Sequence, residues 1–158
     1  MFTPLVRDSY VPPERLVTPL FVCRKLCFAD AEIDYRAVMS SIEVIQKTRG
    51  GDWPTPDLSL EDNRIDLAWH QREFENKSSF AFIVLTPDEK TSLGCFYFYQ
   101  PGFRDADSRK GDVDVSFWVT QEAYDAGLYE VLYKTIREWL ESSWPFSQPI
   151  YTNVMLPD

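Results

Sequence analysis

The sequence predicts an α+β protein, a mainly antiparallel mixed sheet flanked by helices on both faces. Three observations predict it. The hydrophobic period changes along the chain between the 3.6 of a helix and the 2 of a strand. The two runs Ser79–Leu85 and Ser92–Tyr99 are apolar on both faces, and a sheet buried on both sides needs helices over each. Eleven Phe, eight Tyr and five Trp among 158 residues supply a rich core. A chain of this length buries about 70% of its unfolded surface, so one domain over residues 1–158 needs no disulfide or metal to fold.

Residues 1–19 carry Pro4, Pro12, Pro13 and Pro19 and read as an extended N-terminal arm. Leu20–Phe28 is rich enough in β-forming residues for a strand. Ala29–Ser41 follows with helical spacing and Asp30 as its cap, and Ile42–Thr48 forms a second short helix. Arg49-Gly50-Gly51-Asp52-Trp53-Pro54 breaks the chain into a loop. Ser59 opens the next helix with Asp62 placed to answer it, and Ile65, Ala68, Trp69 and Arg72 share one face of it as far as about Asn76. The runs Ser79–Leu85 and Ser92–Tyr99 lie a short turn apart and form an antiparallel hairpin. After a polar loop over Gln100–Gly111, the segment Asp112–Val119 alternates. Val113, Val115, Phe117 and Val119 take one face, Asp112, Asp114, Ser116 and Trp118 the other. A long amphipathic helix buries Leu128, Val131, Leu132, Thr135, Ile136, Trp139 and Leu140 and ends before Pro145, and Pro149–Val154 makes a last strand.

A net charge of −9 with no basic patch excludes nucleic acid and anionic membrane as partners. It favours a cationic or amine-bearing partner, although solubility is the plainer explanation. The acid is concentrated in Asp52–Glu75, with seven carboxylates against Arg64 and Arg72. Three cysteines cannot all pair, which fits a reducing compartment. Cys23 and Cys27 would share a strand face, but no second pair of ligands accompanies them, so no metal site is expected. The single histidine, His70, reads as a surface residue of its helix. Apolar runs stop at about six residues, far short of the ~20 that span a bilayer. The first residues lack the basic-then-apolar pattern of a secretory signal. A soluble cytoplasmic protein is expected.

The order of elements, with the block Val115-Ser116-Phe117-Trp118-Val119-Thr120-Gln121-Glu122-Ala123-Tyr124-Asp125-Ala126-Gly127 and the strand Leu93-Gly94-Cys95-Phe96-Tyr97, resembles the GNAT acyltransferase superfamily. Within it the block is most similar to the branch that acetylates ribosomal-protein N-termini. The resemblance implies acetyl-CoA as co-substrate and an amine, on a small molecule or a peptide, as acceptor. In that superfamily a loop of the form Gln/Arg-x-x-Gly-x-Gly/Ala places free helix-start amides against the pyrophosphate. The block carries its last glycine onto Gly127, while Asp125 and Ala126 stand where the first glycine and a basic residue are usual. Phe117, Trp118, Val119, Ala126, Gly127 and Leu128 are the implied cofactor contacts, the strand backbone giving an N–H to the oxyanion. Asp114 and Ser116 are the implied catalytic pair, one of them acting as base or orienting the amine.

Two departures bear on this. An aspartate at position 125 is expected to cap the following helix and place a negative charge where the pyrophosphate lies. The helix and two strands that close the superfamily's sheet have no counterpart after Val154, so its catalytic tyrosine cannot be carried over; Tyr124, Tyr129 and Tyr133 read as packing or surface residues. The uncovered sheet edge would be met by self-pairing into a homodimer. The plainer reading of Asp112 is the solvent-facing half of an edge strand, and for Asp114 that reading stands level with a catalytic role. The alternatives to an N-acetyltransferase are a GNAT-like binding or regulatory module without catalysis and an unrelated α+β ligand-binding protein.

Overall fold

The computed structural model describes residues 3–158. Its centre is one six-stranded sheet in sequence order: β1 (Arg15–Val17), β2 (Val22–Lys25), β3 (Phe80–Leu85), β4 (Ser92–Tyr99), β5 (Val113–Val119) and β6 (Pro149–Tyr151). Neighbours are antiparallel from β1 to β5, and β5 and β6 are parallel. The helices are α1 (Ala31–Met39), α2 (Ile42–Arg49), α3 (Leu60–Glu75), α4 (Gln121–Asp125) and α5 (Leu128–Ser143). No helix among the described residues is long and apolar enough to cross a membrane.

Strand alternation divides the core in two. Phe82, Phe96, Phe98 and Phe117 face α5, where Trp139 and Trp144 meet the first three edge-on and Tyr129 and Tyr133 pack on Phe117. Ile83, Cys95, Tyr97 and Trp118 face the opposite layer with Val38, Ile45 and Leu67 of α1, α2 and α3. Both faces of β3, β4 and β5 are covered, as the doubly apolar runs require. Gly94 is what lets β5 come so close to β4, because a Cβ there would lie 2.1 Å from the Trp118 carbonyl oxygen.

Several local expectations are met and several are corrected. Ser59 accepts from the Asp62 N–H at 3.0 Å, while the Asp62 carboxylate answers the Ser59 N–H at 3.4 Å. Asp30 does not cap α1. It closes the short turn Phe28–Asp30 before it, accepting from Cys27 N–H at 2.9 Å and holding Arg24 at 2.8 and 2.9 Å. β2 ends at Lys25, so Cys27 lies beyond the strand and does not share a face with the buried Cys23. Within the proline-rich arm, Arg15–Val17 pairs with β2, and Lys77 Nζ donates to the carbonyls of Asp8 and Tyr10. Part of the arm, Met1 and Phe2, lies outside the described residues. The face of α3 carrying Ile65, Ala68, Trp69 and Arg72 looks outward, with Ile65 and Trp69 52% and 58% exposed; Asn63, Leu67 and Phe74 are the residues it buries.

β5 is an interior strand, not the half-exposed edge read from the alternation. Asp112 accepts from the Ser147 and Gln148 N–H groups at 2.7 and 3.0 Å, which fixes the entry of β6. Asp114 is fully buried.

Candidate functional site

The parallel ladder of β5 and β6 is short. It closes with the Thr152 N–H donating to the Val115 carbonyl at 2.8 Å, and beyond it the two chains part. Asn153 fills the opening with its side chain. Its Oδ1 accepts from the Phe117 N–H at 3.0 Å, and its Nδ2 donates to the Phe117 carbonyl at 2.9 Å and to the Tyr129 hydroxyl at 2.8 Å. The chain then runs to the end of α2, where Val154 and Met155 N–H groups reach the Arg49 and Thr48 carbonyls.

One step further along β5, the backbone of Val119 finds no hydrogen-bond partner among the described residues. The Thr120 N–H bonds the Leu93 carbonyl at 2.9 Å. Gly94 and Val119 are therefore a non-hydrogen-bonded pair of the β4–β5 ladder. The Val119 N–H and C=O consequently point away from β4, to the same side as those of Phe117.

From Val119 the chain turns directly into the helices. Thr120 caps α4, accepting from the Ala123 N–H at 3.2 Å. Gly127 then takes φ +84°, with open space where a Cβ would stand, and begins α5 with no side-chain cap. The expected capping by Asp125 does not occur, since its carboxylate accepts from Gln121 Nε2 at 2.9 Å at the end of α4. The first N–H groups of α5, from Leu128 onward, are thus left without an intrahelical or side-chain partner among the described residues. They border a cavity of about 900 Å³ lined by Ala126, Leu128, Thr120 and Gln121, with Arg36 and Lys90 as its cations and Glu122 and Asp125 as its carboxylates. Free amides at the positive end of a 16-residue helix suit an anionic group, while the two cations of the cavity are offset by Glu122 and by Asp125, whose negative charge stays beside the helix start as expected.

The side chains of Asp114, Ser116 and Trp118 turn to the other layer. Asp114 accepts from the Arg104 N–H at 3.1 Å, the Ser108 hydroxyl at 2.9 Å and the Thr152 hydroxyl at 2.8 Å. Its carboxylate thereby ties β5, the loop before it and the end of β6 together. Ser116 is fully buried and accepts from Arg49 Nε at 3.3 Å. Trp118 Nε1 donates to the Tyr97 hydroxyl at 2.8 Å. Phe117, Val119 and Leu128 thus share the core on the α5 side of the sheet, while the side chains of Asp114, Ser116 and Trp118 face the other layer.

Arg49 links Ser116 to a second cavity, of about 240 Å³, which Trp53, Asp66, His70, Glu73, Tyr97 and Tyr99 also line. His70 is not the surface residue expected. Its ring packs 5.5 Å from Tyr97 and 6.5 Å from Tyr99, and its side chain is 11% exposed. Burial pushes the phenols of Tyr97 and Tyr99 well up, so both stay neutral donors. Burial, followed by the neighbouring Arg49 charge, lowers Arg104. No sequence pattern pointed to Asn153, and Arg49 read only as the start of a loop.

No family model matches the chain, and no curated protein does. Solved structures do. A protein assigned as a ribosomal-protein-serine acetyltransferase from Vibrio cholerae superposes with a TM-score of 0.61 at 13% identity, over 84% of this chain and 70% of that one. RimL, a ribosomal-protein α-N-acetyltransferase in complex with coenzyme A, gives 0.60 at 14%, over 80% and 67%. A GNAT-family acetyltransferase from Bacillus anthracis gives 0.54 at 16%, over 81% and 67%. At these identities the likeness is one of fold: the chain has the α+β GNAT fold.

Proposed function

We propose that the chain binds acetyl-CoA and transfers its acetyl group to an amine. The observation that carries this reading is the start of α5. It is an uncapped helix N-terminus entered through a left-handed glycine, directly behind a strand whose Val119 edge is open. The N–H groups at the start of α5, with Arg36 and Lys90, would hold the diphosphate, and Ala126 and Gly127 leave room for its approach. Val119 offers an N–H and a C=O to the amide-bearing arm of the cofactor. The group to be transferred arrives as an activated thioester. Val119 N–H is the donor available to the negative charge that develops on a carbonyl oxygen during attack. In this reading Asp114 and Ser116 are positioning residues, because their oxygens already accept from donors of the protein. The proton of the amine would leave to a carboxylate or through water.

Asn153 favours a second reading, a coenzyme-binding module without transfer. Its amide occupies both polar groups of Phe117, the other backbone position the resemblance assigns to the cofactor. Calorimetric titration with acetyl-CoA, with desulfo-CoA alongside, tests the first reading. Micromolar binding that Gly127→Trp abolishes, in a variant whose circular dichroism is unchanged, supports the site at α5. Product analysis with an amine panel then separates transfer from binding alone. No binding at millimolar acetyl-CoA refutes both readings.

A further inference from the structure

The cavity beside Ser116 is lined by charges of both signs and by aromatic rings. Arg49, half-buried at the end of α2, lies 4.6 Å from the centre of the Tyr97 ring and 5.7 Å from that of Trp53. Its Nε is spent on Ser116. Among the described residues no carboxylate comes within ion-pair distance of it. The adjacent Arg104 offers it no anion and is itself committed to the Thr152, Arg49 and Gly50 carbonyls. Its planar fork matches a carboxylate, and no acidic side chain among the described residues takes that place.

Asp66, Glu73 and His70 supply the other character of the lining. His70 Nε2 lies 3.6 Å from Asp66, whereas its Nδ1 is buried with no hydrogen-bond partner among the described residues. A buried polar atom without a partner calls for one, and a bound group in the cavity would supply it. The walls are Tyr97 and Tyr99, stacked at 5.5 Å with a 5° angle, and Phe103, 4.4 Å from Tyr99. A volume of about 240 Å³ is amino-acid-sized, below the 300–1,000 Å³ of common ligand pockets.

We propose that this cavity binds a free α-amino acid, its carboxylate on Arg49 and its ammonium on Asp66 and Glu73, with the side chain against the tyrosines. As an acceptor site this rests on the acetyltransferase reading; as a binding site it stands without it. A linear polyamine would bring positive charge to Arg49 and leave the guanidinium unpaired. A peptide N-terminus would offer it only a neutral carbonyl.

The test is a titration without acetyl-CoA, followed by NMR at the Trp53 indole and the His70 ring. The probes are the twenty L-amino acids, each with its α-amide and N-acetyl form, a short peptide and spermidine. At least one free amino acid is expected to shift both signals saturably. Its amide and N-acetyl forms should each bind at least about tenfold more weakly, the loss of one charge-assisted contact. Arg49→Gln should remove binding, Arg49→Lys should restore part of it, and Glu73→Gln should weaken the amino acid while leaving the fold's spectrum unchanged. Saturable binding by none of the amino acids overturns the proposal, as does an amide, peptide or spermidine that binds as tightly as the free acid. Because acetyl-CoA is absent, its failure to bind in the separate calorimetric experiment leaves this result standing, and the reverse holds.

Discussion

Replacing Asn153 by alanine should weaken the fold and strengthen cofactor binding in the same variant. The side chain is 6% exposed and makes three hydrogen bonds, two to Phe117 and one to Tyr129. At about 1 kcal/mol net for each bond, the loss should be about 2–3 kcal/mol, read as a lower urea midpoint at unchanged slope. The alanine also frees the N–H and C=O of Phe117 on the edge where Val119 is already open. If the arm of acetyl-CoA lies along that edge, it no longer competes with an internal amide. Two recovered bonds of that size should tighten acetyl-CoA by about tenfold or more. Calorimetry on wild type and Asn153→Ala measures both affinities under one condition. A variant that loses stability but binds acetyl-CoA no better would refute the placement of the cofactor along Phe117 and Val119.

Gly94→Ala should cost about 2–3 kcal/mol, seen as a lower thermal midpoint, because its Cβ must displace the Trp118 carbonyl across the β4–β5 ladder. An unchanged midpoint would show that the two strands can separate there without loss. Asp114→Ala strands the Arg104 N–H and the hydroxyls of Ser108 and Thr152, so urea unfolding should report a loss of about 2–4 kcal/mol. Full stability in that variant would contradict its structural role. Asp34 gives a pH signature. Burial first of all raises its carboxyl to about 6, although Asn63 Nδ2 and Cys95 Sγ donate to it at 2.9 and 3.3 Å. The native state therefore holds a proton that the unfolded chain releases near 4. The contribution of Asp34 is full below that pH and is lost as pH rises towards 6, by up to about 3 kcal/mol. Denaturation of wild type and Asp34→Asn between pH 4 and 7.5 should show their stability difference changing in that window and flat above it; a difference constant with pH would rule the shift out.

What could be read from the sequence was local. The alternation of Val113–Val119 placed a strand, the spacing of Ser59 and Asp62 placed a cap, and Gly127 marked the start of α5 because only a few residues must agree. The rest depends on partners far along the chain. Alternation could not distinguish an edge strand from a buried one, since Asp114 is buried only because Arg104, Ser108 and Thr152 surround it. The stripe of Ile65 and Trp69 has the spacing of a core face, yet α3 buries the opposite side. There polar Asn63 is satisfied by Asp34 and the Ala31 carbonyl, which a hydrophobic period cannot register. Asn153 is 36 residues from Phe117, and Arg49 is 67 from Ser116. His70 faces rings that belong to β4.

The central claim, that the edge of β5 and the start of α5 together form a coenzyme site, is tested most directly by backbone-amide NMR during an acetyl-CoA titration. The account predicts saturable shifts largest at Val119, Leu128, Tyr129 and Glu130, with smaller changes at Phe117, where Asn153 already holds the N–H. Shifts confined to other surfaces, or none at millimolar acetyl-CoA, would contradict it.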